Sequence, residues 1–126
     1  MTIHAIGNDV VEIDRIEQAH ARRGQRLLDL VFTPDEQAWC EACKHSYAHY
    51  AGRWAVKEAV MKVLGTGWSG GVRWVDIETR RVAGQPPELV LHGRTAEIAA
   101  ELGIALIHIT ISHDAGIASA VAVAER

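Results

Sequence analysis

The sequence predicts an α+β domain in which an antiparallel sheet packs around one long central helix. Three observations predict it. Arg53 to Leu64 consists of strong helix formers, and its apolar members (Trp54, Ala55, Val56, Ala59, Val60, Met61, Val63, Leu64) cover nearly the whole circumference. The two ends of the chain, Ile3 to Ile13 and Ile104 to Ala124, are rich in β-branched residues, the latter with a clear period of two. No repeat, low-complexity run or linker divides the 126 residues, so residues 1–126 read as one domain.

Taken in order, Ile3 to Ile13 reads as a strand with a glycine kink at Gly7, and Asp9 lies inside it. A carboxylate there is exposed on an edge, paired with a cation, or bound to a metal. Asp14 is expected to cap the first helix, with Glu17 as its capping partner. That helix and the turn after it carry Arg15, Arg22, Arg23 and Arg26, which read as a solvated face or as a docking patch for an acidic partner. Phe32-Thr-Pro-Asp-Glu36 marks the next helix start, with Thr33 as cap, Pro34 at the first helical position and Glu36 closing a capping box. This helix runs to about Cys43. After a polar break at Lys44 to Ser46, the central helix begins near Tyr47 and stops at Gly65.

Trp68 to Gly71 reads as loop and Val72 to Thr79 as a strand; Gly84 to Pro87 turns, and Leu89 to Leu91 pairs back. Arg94 to Leu102 is a short helix ended by Gly103. The last hairpin, Ile104 to His113 and Ile117 to Ala124, turns at Asp114-Ala-Gly116. Its period of two puts Ile107, Ile109, Ile111 and His113 on one face and His108, Thr110 and Ser112 on the other.

Four polar side chains interrupt the central helix, as two (i, i+4) pairs. Glu58 with Lys62 is a favourable helix ion pair. Arg53 with Lys57 is not, and needs an anion opposite, either a neighbouring carboxylate or a ligand. With Lys62, these cations stand beside Gly65-Thr66-Gly67, a turn whose free amides can also face an anion, which points to phosphate. In a P-loop the glycines and lysine precede the helix, whereas here they follow it.

Net charge is -3, with 13 Lys+Arg against 16 Asp+Glu, so no overall basic field suggests nucleic acid. No apolar run is long enough for a membrane span and no signal-peptide pattern opens the chain, so the expectation is a cytoplasmic protein. At this length a deep, enclosed site is hard to build from one chain, and a cleft between subunits would supply one. Cys40 and Cys43, with His45 and His49 behind them, raise the question of zinc or redox chemistry. The spacing lacks the loop of finger-type sites, and the pair lies late in its helix, so structural thiols are expected.

Ile6-Gly-Asn-Asp9 with Val-Val-Glu-Ile13, Gly52-Arg-Trp-Ala-Val-Lys-Glu-Ala-Val-Met-Lys-Val-Leu-Gly-Thr-Gly67, Asp76-Ile-Glu78 and Ile111-Ser-His113 closely resemble the holo-acyl-carrier-protein synthases, the short phosphopantetheinyl transferases. The resemblance runs in order over nearly the whole chain. It implies transfer of 4'-phosphopantetheine from coenzyme A to a serine of apo acyl carrier protein, leaving adenosine 3',5'-bisphosphate. It implies Mg2+ held by Asp9 and Glu58, and homotrimers with active sites between protomers. It also implies docking of the acidic carrier on the first helix, through Arg15, Arg22, Arg23 and Arg26.

The chemistry suits these residue types. Mg2+ typically takes one or two carboxylates and fills its shell with phosphate oxygens and water. Lys62 is expected on the pyrophosphate, with Gly65, Thr66 and Gly67. Glu58, Lys62 and His113 are the catalytic candidates, His113 as a contact to the coenzyme and Arg53 as a contact to one of its phosphates. The base for the serine is either Glu58 itself or a water on the metal. Two rival readings use the same residues: hydrolysis of the coenzyme A pyrophosphate, and non-catalytic binding of carrier or coenzyme.

Overall fold

The computed structural model describes residues 1–126. Strand β1 (Ile3–Glu12) leads into helices α1 (Ile13–Arg23), α2 (Gln25–Val31), α3 (Pro34–Ala42) and α4 (Ser46–Leu64); β2 (Ile77–Arg80), β3 (Glu88–Leu91), α5 (Gly93–Glu101), β4 (Leu106–Asp114) and β5 (Ile117–Glu125) follow. The strands form two antiparallel sheets, β1-β5-β4 and β2-β3. The expected sheet is therefore split in two, and α4 packs against strands of both.

Helix α4 is the core. Ala51, Ala55, Val56, Ala59 and Val60 are buried in it, and Gly65 ends it in the left-handed conformation at φ 75°. The sheet lays Ala118, Ala120, Ala122 and Ala124 of β5 on this helix, and their small side chains let helix and sheet approach closely. Gly7 carries this furthest, since a Cβ there would stand 2.1 Å from the Ala59 carbonyl oxygen. The glycine kink expected at Gly7 is not found: β1 pairs with β5 without interruption from Ala5 to Glu12, and the one register shift lies between Ile3 and Ala5. Gly7 is needed for proximity, not for bending.

The like-charged pair on α4 is resolved in part by a carboxylate. Lys57 is fully buried, and its ammonium donates to Glu36 Oε1 at 2.9 Å and to the carbonyls of Trp74 and Ile77. The same Glu36 closes the capping box of α3 with Thr33, as expected, and accepts from the Thr79 amide at 3.0 Å. One carboxylate thus joins a helix start, the central helix and β2, and a buried charge is stable only when satisfied this fully.

Three other expectations are corrected. Asp14 does not cap α1, which begins directly from Glu12 with no side-chain cap. The β1–β5 pairing persists to Glu12, and the Ile13 amide donates to the Gly116 carbonyl, so the hairpin turn holds the helix start instead. Arg26 lies on a separate helix, α2, because Gly24 (φ 68°) breaks the first helix rather than opening a turn. Val72 to Thr79 is not one strand: Trp74–Asp76 forms a 3-10 turn, and only Ile77–Arg80 pairs. Asp76 accounts for this, since its buried carboxylate accepts from Arg73 and Thr95 and its carbonyl from the His92 amide.

Candidate active site

Asp9 reaches its position through strand periodicity. Gly7 faces α4, so Asp9, two residues on, shares that face and points at the same helix one turn further along. There it meets Lys62, whose ammonium lies 3.4 Å from Asp9 Oδ1 and donates to the Asn8 carbonyl at 2.7 Å. Lys62 is therefore not the partner of Glu58 that the helix spacing suggested. The strand offers it a carboxylate and a carbonyl together, which outweigh one weak pair on the helix surface.

Asp9 and Glu58 line one cleft of ≈ 580 Å³. Burial, and next the negative charge of Asp9, push the Glu58 carboxyl above its usual range, while Lys62 pulls it back. Two hard carboxylates lining one cleft, with a single half-exposed ammonium 3.4 Å from Asp9, are a donor set suited to a divalent cation. No group of three or more His, Cys, Asp or Glu side chains is placed to hold a metal ion, so ligands beyond these two would come from water or substrate.

The far end of this cleft is basic. Arg15, Gln18, Arg22 and Arg23 line it from α1, and Trp54 forms part of its wall. Arg26 extends the same surface into a neighbouring hollow with Arg22, Arg23, Leu27, Asp29 and Leu30. All four arginines singled out in the sequence thus line two hollows that share Arg22, Arg23 and Leu27, the first of which also holds the two carboxylates.

Glu58 also lines a second groove, of ≈ 430 Å³, with Met61, Lys62, Gly65, Gly67 and Trp68. Gly65 and Gly67 both have positive φ, and the Thr66 and Gly67 amides donate to no backbone carbonyl. The Thr66 hydroxyl bonds within the turn, to the Gly67 carbonyl at 3.2 Å. An ammonium and free amides on one wall form a setting for phosphate.

His113 and Arg53 lie elsewhere in the chain. His113 is on β4, two strands away from Asp9 across the sheet, and packs edge-on against His49 with ring centroids 5.3 Å apart. Burial first, then the neighbouring His113, lowers the affinity of His49 for a proton. Arg53 is only 2% exposed; it donates to the His49 carbonyl at 3.4 Å, and its Nε and Nη2 have no partner. Neither residue lines the cleft of Asp9 and Glu58. Cys40 is buried, which pushes its thiol up to about 12, as suits an inert structural cysteine.

The sequence reading missed Trp54 and Trp68, which wall the two cavities that meet at Glu58. The available signal was a large aromatic immediately after the glycine turn, where a polar loop residue would be ordinary. Trp54 gave none, because within an apolar helix it reads as core.

Residues 5–121 match the model of the 4'-phosphopantetheinyl transferase superfamily. The chain is 44% identical over 126 residues to the holo-[acyl-carrier-protein] synthase of Anaeromyxobacter sp. (strain K), covering 98% of this chain and 96% of that one. It is 41% identical over 124 residues to the enzyme of the same name from Geobacter sp. (strain M21), covering 98% and 99%. Among solved structures, that of the Neisseria meningitidis synthase superposes with a TM-score of 0.90 at 29% identity, covering 99% of this chain and 100% of that one. The Helicobacter pylori synthase in complex with coenzyme A gives 0.82 at 32% identity, over 96% and 100%. The fold, the ordered motifs and these full-length similarities together show that the chain belongs to the holo-[acyl-carrier-protein] synthase family of 4'-phosphopantetheinyl transferases.

Proposed function

We propose that this chain transfers the 4'-phosphopantetheine group of coenzyme A to a serine hydroxyl of apo acyl carrier protein, releasing adenosine 3',5'-bisphosphate. One observation carries the reading: Glu58 is shared by an arginine-lined cleft and by a groove with a lysine and a glycine turn. The acidic carrier enters along Arg15, Arg22, Arg23 and Arg26, and the coenzyme diphosphate lies on Lys62 and the free amides of Thr66 and Gly67; the Gly65 amide, expected to join them, is instead taken by the Met61 carbonyl at 2.9 Å. The two substrates then meet at Glu58.

Asp9 and Glu58 would hold Mg2+, which supplies charge neutralisation on the phosphate oxygens during an in-line displacement. Lys62 orients the diphosphate and shields Asp9. Glu58, with its carboxyl already raised, is placed to accept the serine proton as the oxygen attacks the β-phosphorus and the bond to the bisphosphate breaks.

We further read the outer face of the β1-β5-β4 sheet as the contact between protomers of a homotrimer. Ile6 and Val10 are 64% and 59% exposed there, and Leu106, Ile117 and Val121 are exposed on the same face, an apolar cluster of the kind that suits a contact between chains. In such an assembly His113, with Arg53 behind it, serves the coenzyme of a neighbouring protomer and completes sites between protomers. No helix is long and apolar enough to cross a membrane, and the reading places the enzyme in the cytoplasm, where coenzyme A and carrier protein meet.

The test is mass spectrometry of apo carrier protein incubated with coenzyme A, Mg2+ and this chain. A phosphopantetheine adduct on the carrier is expected. Free phosphopantetheine without a carrier would mean hydrolysis, and binding without turnover would mean a coenzyme-binding module. Reversing Arg22 and Arg23 together to Glu is expected to raise the KM for the carrier about tenfold or more, since two weak attractions become repulsions. Coenzyme A binding should be unchanged. An unaltered carrier KM would make the patch mere solvated surface.

A further inference from the structure

We propose that Trp68 forms the apolar wall that seats the branched aliphatic segment of the group being transferred, and so selects the donor. This rests on the reading that the diphosphate of coenzyme A lies on Lys62 and the glycine turn.

Trp68 is 45% exposed, an unusual placement for the largest apolar side chain. It is nevertheless held in place. Its ring centroid is 3.9 Å from that of Trp74, and Trp74 is 4.6 Å from Trp54, which packs on the core. The stack fixes Trp68 from one side and leaves its free surface facing the groove that contains Glu58 and Lys62. Aromatic pairs of this kind contribute beyond their buried area, so the ring is ordered before any ligand arrives.

The groove lining indicates which part of the donor belongs there. Besides Lys62 and Glu58, both engaged at the phosphate end, only Met61, Gly65, Gly67 and Trp68 line it. Apart from the indole N–H of Trp68, a purine edge would find no further strong side-chain donor or acceptor, whereas a saturated carbon skeleton needs none. In coenzyme A the arm beyond the β-phosphate begins with a methylene and then a quaternary carbon carrying two methyl groups. Trp68 directly follows Gly67, so a diphosphate seated on the turn brings that carbon within one side chain's length of the indole.

The experiment is calorimetric binding of coenzyme A and of adenosine 3',5'-bisphosphate, in Mg2+, to the wild-type chain and to Trp68→Ala and Trp68→Phe, with transfer kinetics alongside. Trp68→Ala is expected to weaken coenzyme A binding and raise its KM about tenfold, equivalent to ~1.4 kcal/mol of lost apolar contact. Its kcat and its affinity for the bisphosphate, which lacks the branched carbon, should hold, and Trp68→Phe should recover most of the loss. Unchanged coenzyme A affinity in Trp68→Ala would overturn the proposal, as would equal weakening of the bisphosphate. Should the wild-type chain bind both ligands but transfer nothing, the proposed reaction falls, while the difference between the two affinities still decides the role of Trp68.

Discussion

Glu58→Gln is expected to reduce the transfer rate roughly 10²-fold or more while leaving fold and assembly intact. The amide keeps the size and one acceptor of the side chain but removes the negative charge and the capacity to take a proton. If Glu58 both helps to hold the divalent ion and accepts the serine proton, the two losses fall on one step and show in kcat more than in the KM for the carrier. Stability should move the other way or not at all. Burial and Asp9 raise the Glu58 carboxyl, so the folded chain holds its ionised form at a cost near neutral pH, and a neutral isostere relieves that cost. The decisive measurement pairs single-turnover transfer with thermal unfolding of the same variant. Near-normal transfer would remove Glu58 from both roles, and a large fall in Tm would show that the variant had lost structure rather than chemistry.

Much of this was legible in the sequence because it is written in local chemistry. The capping box of Thr33 and Glu36, the period of β4 and the glycine stop of α4 depend on residues within a few positions of one another, and each was found as expected. The partnerships of the charged residues were not legible. Lys62 pairs with Asp9 across 53 positions and Lys57 with Glu36 across 21, so helical spacing alone assigned Lys62 to the wrong partner and left that of Lys57 open. The expected anion is found for Lys57, where a buried carboxylate met the requirement and a phosphate had been an equal alternative, but no carboxylate stands opposite Arg53. Arg53 shows the boundary most clearly: its charge advertised a ligand contact, while its burial and two unpartnered nitrogens follow only from how α4 packs.

The same distinction governs Gly7, whose replacement by Ala is expected to be the most damaging single-methyl change in the chain. In the strand itself alanine is the better residue, since glycine loses more conformational freedom on folding. The added Cβ, however, would stand 2.1 Å from the Ala59 carbonyl oxygen, 3.1 Å from its carbon and 3.2 Å from Val63 Cγ2. The first two are backbone atoms in the middle of a buried helix, with no rotamer to change. Strand or helix must therefore shift, and overpacking of this kind costs about 1–3 kcal/mol even where side chains can adjust, so ~3 kcal/mol or more is expected here. Gly52→Ala is the internal comparison. Its Cβ would meet Ile111 Cγ2 at 2.8 Å, but that is the end of a movable side chain, and alanine returns up to about 1 kcal/mol of helix propensity. Denaturant unfolding of both variants should thus separate them by a clear margin. Gly7→Ala should also lose transfer activity under conditions where it remains folded, because displacing β1 from α4 moves Asp9 away from Glu58. A Gly7→Ala chain with the wild-type unfolding midpoint would show that strand and helix are not in the close contact on which the carboxylate pair depends.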